Sequence, residues 1–260
     1  MKGWIVPIGV IESSLNDRGV RLAFQRSAGR GPTLVWICGF RSDMGGTKAA
    51  WLHERADAAG RAFLRFDVTG CGQSGGTFED GTIGVWLADA LHVIDTASEG
   101  PLVLVGSSMG GWLALLIARA RPERVKGLML IAPAPDFTER LMWPEMTEAA
   151  RAEVLERGVW LRPSAYDETP TPITRALFED GRAHLLMDAP IPFAGPVRIV
   201  HGQADPDVPW KLSLEIAERL TSADVQLTFV KSGNHRLSTP RDLDLLGAVL
   251  DDLCETLNSR

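Results

Sequence analysis

The chain has 260 residues, is 45% hydrophobic and 23% charged, and carries 33 acidic against 27 basic side chains. That length buries a substantial core, and a formal charge of −6 with no basic run argues against nucleic acid as a partner. No stretch reaches the roughly 18–20 apolar residues of a membrane span, and the scattered Cys38, Cys71 and Cys254 form neither a disulfide framework nor a paired metal motif.

At the amino end, one lysine and a short apolar run broken by Pro7 lack the cleavage site of a signal peptide, so a cytoplasmic protein is expected. Residues 4–26 read as one or two antiparallel edge strands. Strand-length apolar runs follow at 33–38, 62–68, 102–107, 125–133, 197–202 and 225–230. Amphipathic stretches at 47–59, 82–97, 109–120, 209–221 and 240–257 lie between and after them. Continuous apolar strands suit a sheet covered on both faces, and alternation with helices predicts a mostly parallel, doubly wound α/β fold.

One interval breaks the rhythm. Between 136 and 196 no strand is legible, and Pro144, Pro163, Pro170, Pro172, Pro190, Pro192 and Pro196 recur. Residues 144–158 predict a short helix stopped by Gly158, and 174–187 one or two more. This predicts a core of 1–135 and 197–260, with 136–196 inserted as a helical cap after the strand at 125–133. Its expected place is over the C-terminal edge of the sheet, where open α/β sheets bind ligands.

The strongest local signal is Gly106-Ser107-Ser108-Met109-Gly110, placed where a strand should end and a helix begin. In that context GxSxG is a nucleophile elbow: a serine on a sharp turn, flanked by residues small enough to permit it. Only Ser108 fits the frame, because Val105 and Met109 stand where glycines would be needed for Ser107. The elbow predicts an acid and then a histidine further along the chain. Asp205 follows the strand at 197–202 within HGxxDxxVP, with Asp207 and Asp136 as competitors; the alternative for Asp207 is a cap on the helix at 209. His235 lies on a glycine-containing loop after the strand at 225–230, where it can swing toward the serine as general base.

The remaining histidines have plainer readings. His53 and His92 sit in amphipathic helices, His201 packs at a strand end, and His184 belongs to the predicted cap with a substrate contact as its alternative. An oxyanion hole needs two converging N–H donors, expected from Met109 and, on the loop after 33–38, from Phe40. Gly70-Cys71-Gly72-Gln73-Ser74-Gly75 matches GxGxxG, but Gly76 to Gly81 prolong the loop where a dinucleotide site would open a helix. No phosphate-binding loop and no HExxH zinc motif are present, so no cofactor and no metal are expected.

Cys38-Gly39-Phe40, Asp67 to Ser74, Gly106 to Gly111, His201 to Pro209 and His235 together resemble the serine hydrolases of the α/β-hydrolase superfamily. The segments 40–49, 106–115 and 158–166 are also similar to the acyl-protein thioesterases of the abhydrolase-domain family. The resemblance implies a Ser108–His235–Asp205 triad cleaving carboxylic esters or thioesters through an acyl-enzyme. It further implies small acyl substrates, with an acylated protein cysteine or an acyl glucuronide within the class. Trp143, Trp160, Phe178 and Leu186 are candidates for an acyl pocket or for packing within the cap. Arg41 is a candidate for an anionic leaving group or a solvated surface residue. A carbon–carbon bond hydrolase on the same fold and a non-catalytic binding protein are the other readings. Halide- and epoxide-cleaving relatives use Asp where this chain has Ser108.

Overall fold

The computed structural model describes residues 11–163 and 169–259. Part of the predicted edge region, 4–10, and the tail of the 158–166 similarity lie outside them. The chain runs β1 (Glu12–Leu15), β2 (Arg21–Ser27), β3 (Arg30–Ile37), α1 (Thr47–Ala58), β4 (Arg61–Phe66), α2 (Ile83–Ala97), β5 (Leu102–Ser107), α3 (Met109–Ala120) and β6 (Val125–Ile131). After β6 come α4 (Trp143–Glu145), α5 (Glu148–Arg157), β7 (Val159–Arg162), β8 (Thr171–Thr174) and α6 (Arg175–Arg182). The chain then returns to the sheet with β9 (Val197–Gly202), α7 (Leu212–Arg219), β10 (Val225–Val230) and α8 (Pro240–Asn258).

The main sheet has the order β1-β2-β4-β3-β5-β6-β9-β10. From β4 to β10 the neighbours are parallel, and only the pairings made by β2 are antiparallel. Strand alternation divides the core between two faces. On β5 and β6, Leu102, Leu104, Leu128 and Leu130 pack with α2 and α3, whereas Val103, Val105, Met129 and Ile131 face α1 and α8. This two-sided cover explains why β5 is buried along its whole length and reads as an unbroken apolar run.

Helix ends follow local chemistry. Thr82, Thr147 and Thr174 accept hydrogen bonds from backbone N–H groups in the first turns of α2, α5 and α6. Thr239 and Asp242 form a reciprocal capping box on α8, with Pro240 in its first turn. Gly158 takes the left-handed conformation that ends α5, as its position predicts.

The 136–196 segment differs from the expectation in one respect. It contains an antiparallel pair, β7 with β8, in the register Val159↔Thr174 to Arg162↔Thr171. The strands are four residues each, and β8 contains Pro172, so neither displays a readable alternation. A single helix, α6, occupies the stretch 174–187. Residues 138–142 form a π-helical turn.

Candidate active site

Ser108 stands between β5 and α3 with φ 56° and ψ −120°, a backbone strain on the order of 1–3 kcal/mol. The turn is held from both sides. Ser108 N–H donates to the Ile131 carbonyl at 2.9 Å, and the Ser108 carbonyl accepts from Gly111 and Ala134 at 2.8 and 3.1 Å. The glycines of the motif are close-approach positions. A β-carbon at Gly106 would lie 2.3 Å from the Gly110 oxygen, and one at Gly110 would lie 2.1 Å from the Ile37 oxygen. Any larger residue would force the turn open.

The loops after β9 and β10 bring two further side chains to the serine. His235 Nε2 lies 3.1 Å from Ser108 Oγ, and His235 Nδ1 lies 2.7 Å from Asp205 Oδ2. Asp205 has no exposed side-chain surface. Its Oδ1 accepts the backbone N–H groups of Asp207 and Val208 at 2.8 and 2.9 Å. Burial works against the charge, but hydrogen bonds from His201, His235 and Val208 outweigh it and hold the carboxyl well below the usual carboxylate range. Asp205 is therefore ionised beside His235, and a serine–imidazole–carboxylate chain of this form can relay a proton from a hydroxyl.

The competing carboxylates are placed differently. Both oxygens of the buried Asp136 accept the backbone N–H groups of Leu186 and Met187, at 2.8–3.1 Å. Burial, opposed by those two hydrogen bonds, pushes this carboxyl above its ordinary value. Asp207 is exposed, and α7 begins only at Leu212 with Lys211 before it, so Asp207 does not cap that helix. Asp205, Asp207 and His235 bring oxygen and nitrogen atoms within 4.8 Å of one another. In this arrangement the Asp205 oxygens and His235 Nδ1 are already committed to the hydrogen bonds just described.

A cavity of about 830 Å³ opens over Ser108 and His235. Met109 and Phe40, the expected oxyanion donors, both line it. The loop carrying Phe40 abuts the serine, since a β-carbon at Gly39 would stand 3.3 Å from Ser108 Cβ. Phe40 itself packs against Phe78, Trp86 and Phe137 at 5.1–5.8 Å between ring centres. Ala134, Phe137, Leu141 and Met142 supply apolar wall, whereas Arg41, Lys48, Arg162 and Arg236 bring positive charge. Burial, helped by the nearby Arg236 guanidinium, pushes the Lys48 ammonium down to about 8. The sequence reading did not single out Lys48 or Arg236.

Of the two readings given for the four apolar candidates in the 136–196 segment, the geometry favours packing. Trp143, Trp160, Phe178 and Leu186 are absent from the described residues that line the cavity. Trp143 and Phe178 pack on each other with ring centres 4.9 Å apart, and Phe178 is only 1% exposed. Trp160 and Leu186 join the core beneath the segment. Arg41 does line the cavity, but its guanidinium also donates to Thr171 Oγ1 at 2.9 Å and lies over the Phe78 ring.

The other histidines are structural partners. His53 stacks on Phe63, His92 meets Ser14, and His184 reaches the Asp180 carbonyl. His201 does more than pack. Its Nε2 lies 3.1 Å from both Asp205 Oδ2 and the Val208 carbonyl, and its Nδ1 lies 2.7 Å from Ser213 Oγ. The signal in the sequence was its place four residues before Asp205. In the GxGxxG stretch, Gln73 and the remote Met44 donate backbone N–H groups to Asp67, and α2 opens only at Ile83. The motif is a tight connection near the catalytic edge.

The fold and this constellation define a hydrolase of the α/β class. The model of the alpha/beta hydrolase family matches residues 15–244, and the chain belongs to that family. It is an enzyme of the esterase and thioesterase type, the class that the sequence implied. It is 40% identical over 241 residues to the mouse mitochondrial palmitoyl-protein thioesterase ABHD10, an alignment covering 92% of this chain and 80% of that protein. Among solved structures, a putative hydrolase from Agrobacterium vitis S4 superposes with a TM-score of 0.89 at 41% identity, covering 94% of this chain and 99% of the other. Mouse alpha/beta hydrolase domain-containing protein 10 superposes with a TM-score of 0.87 at 36% identity, covering 96% and all of the two chains. The expectation of a cytoplasmic protein is overturned, because the curated mammalian relatives are named as mitochondrial. No helix of the described residues is long and apolar enough to cross a membrane.

Proposed function

We propose that the chain hydrolyses acyl esters or thioesters with Ser108 as nucleophile, His235 as general base and Asp205 as the orienting acid. The observation that carries this reading is the hydrogen-bonded sequence Ser108 Oγ–His235 Nε2 and His235 Nδ1–Asp205 Oδ2. His235 removes the Ser108 proton as the hydroxyl oxygen attacks the acyl carbonyl carbon. The negative oxygen of the tetrahedral intermediate is received by the backbone N–H groups of Phe40 and Met109, the latter at the positive end of α3. His235 then gives its proton to the leaving alcohol or thiol, and the acyl group remains on Ser108. A water molecule, deprotonated by His235, attacks that acyl-enzyme and releases the acid.

Residues 136–196 act as a cap in this reading. Phe137, Leu141, Met142, Arg162 and Thr171 from that segment share a cavity with Ser108 and His235, which supports the assignment. The apolar part of the wall suits an acyl chain, and the charged part suits a polar leaving group. The mitochondrial relatives are named as palmitoyl-protein thioesterases, and this supports a long-chain acyl thioester on a protein cysteine as the substrate class. The test is a panel of acyl thioesters, alkyl esters and acyl glucuronides of graded chain length, run beside fluorophosphonate labelling. Labelling that disappears in Ser108→Ala, with hydrolysis strongest on long acyl thioesters, is the expected result. Labelling that persists in that variant moves the nucleophile elsewhere.

A further inference from the structure

The triad reading leaves a fully buried histidine beside the acid without a role. His201 has no exposed surface, and its ring is bonded at both nitrogens. Strand β9 fixes its backbone against β6 and β10, so its position is set by the sheet. The loop from Ala204 to Val208 then folds back over the ring, which places Asp205 and the Val208 carbonyl on the same nitrogen.

The chemistry of the partners decides the tautomer. A backbone carbonyl can only accept, and Asp205 is ionised, so Nε2 faces two acceptors and must carry the hydrogen. Nδ1 then offers a lone pair, and the Ser213 hydroxyl at 2.7 Å donates to it. Ser213 is itself fully buried on α7, and Nδ1 is the partner its hydroxyl reaches. The partners thus place a hydrogen on Nε2, pointing at Asp205, and pair Nδ1 with the Ser213 hydroxyl.

We infer that His201, locked in this tautomer by Ser213, is a positioning residue that holds the Asp205 carboxylate in register with His235. The inference rests on the triad reading given above. Asp205 Oδ2 receives two imidazole N–H groups from different loops, and Oδ1 receives two backbone N–H groups from its own loop. With the His201 donor removed, Oδ2 is held by His235 alone. The carboxylate, still anchored through Oδ1, can then pivot about that anchor and carry Oδ2 out of line with the imidazole it must orient during proton transfer. His201 touches neither the substrate cavity nor Ser108 among the described contacts, so its effect runs through Asp205.

The experiment compares His201→Leu with His201→Gln, whose side-chain amide can place an N–H where Nε2 stands. His201→Leu is expected to lower kcat on the order of ten- to a hundredfold, the scale of a small misplacement, with KM nearly unchanged. His201→Gln is expected to recover most of that loss, and Ser213→Ala to show a smaller loss of the same kind. Nitrogen-15 spectra of the wild-type enzyme should show His201 protonated at Nε2 and unprotonated at Nδ1. Full kcat in His201→Leu, equal impairment of the leucine and glutamine variants, or a proton on Nδ1 overturns the inference. If His201→Leu does not fold, the glutamine variant and the spectra decide alone. Activity surviving in Ser108→Ala instead overturns the triad reading while leaving the tautomer result intact, so the two failures are distinguishable.

Discussion

The turn carrying Ser108 and the 136–196 segment above it are fixed in opposite ways. At the turn, backbone meets backbone: Gly106 approaches Gly110, Gly110 approaches Ile37, and Ser108 is bonded through N–H and carbonyl to β6 and the chain after it. In the segment, side chains reach in from elsewhere or reach out to the core. Asp136, where the segment begins, accepts the N–H groups of Leu186 and Met187 near its far end, and Asp180 accepts the Gly84 N–H at 2.6 Å. Trp112 donates to the His184 carbonyl, and Arg41 donates to Thr171. Ser108 therefore rests on contacts that tolerate almost no change. The wall above it rests on separate long-range bonds that can be removed one at a time.

The sharpest test of the turn is chemical. Ser108→Ala is expected to reduce kcat by up to about a millionfold, measured on any ester or thioester the enzyme accepts. Asp205→Asn should cost on the order of ten-thousandfold by favouring the wrong tautomer of His235. That variant also has a stability signature. Because the Asp205 pKa is lowered on folding, its carboxylate stabilises the native state fully above the unfolded value near 4. The contribution drains away as pH falls from there toward the folded value. Denaturant titrations of Asp205→Asn below about pH 4 should show a flatter pH dependence than those of the wild type.

A second contrast pits one glycine against another. Gly110→Ala places a β-carbon against a backbone oxygen that cannot move, and should cost about 3 kcal/mol or more. Gly158 ends α5 with open space around it, so Gly158→Ala should cost only the left-handed backbone, about 1–2 kcal/mol. Thermal unfolding of the pair gives the difference directly, and equal shifts would break the contrast. Within the segment, Phe178→Ala should lower stability by about 3–5 kcal/mol while sparing chain-length preference. Leu141→Ala should do the reverse, with roughly a tenfold loss of kcat/KM on long acyl chains. Asp136→Ala leaves the Leu186 and Met187 N–H groups unpaired, at about 1–3 kcal/mol for each. Faster limited proteolysis confined to 136–196, with an unchanged core, would register it.

Legibility in the sequence followed the same division. The strands at 102–107 and 197–202 have the limits that their apolar runs predict, because burial on both faces leaves no ambiguity of side; the half-buried edge strand at 225–230 also keeps its predicted limits. The hairpin of β7 and β8 was invisible, because four-residue strands with a proline carry no period to detect. Trp143 and Phe178 suggested a pocket by their size, but large apolar side chains serve packing as readily as they serve a ligand. His201 looked like one more buried strand residue; its bond to Asp205 depends on a loop folding back over it, which spacing alone does not state.

By itself the sequence determined the parallel core, the sharp turn at Ser108, and the loops expected to bring an acid and a histidine toward it. Each of these is written in residue types that only one local geometry accepts: glycines where a β-carbon cannot fit, and continuous apolar strands where both faces are covered. Only the tertiary structure decided which carboxylate turned toward His235, which side chains walled the cavity and what held Asp205 in place. Those outcomes depend on directions taken by side chains from distant loops, and direction is fixed by packing rather than by order along the chain.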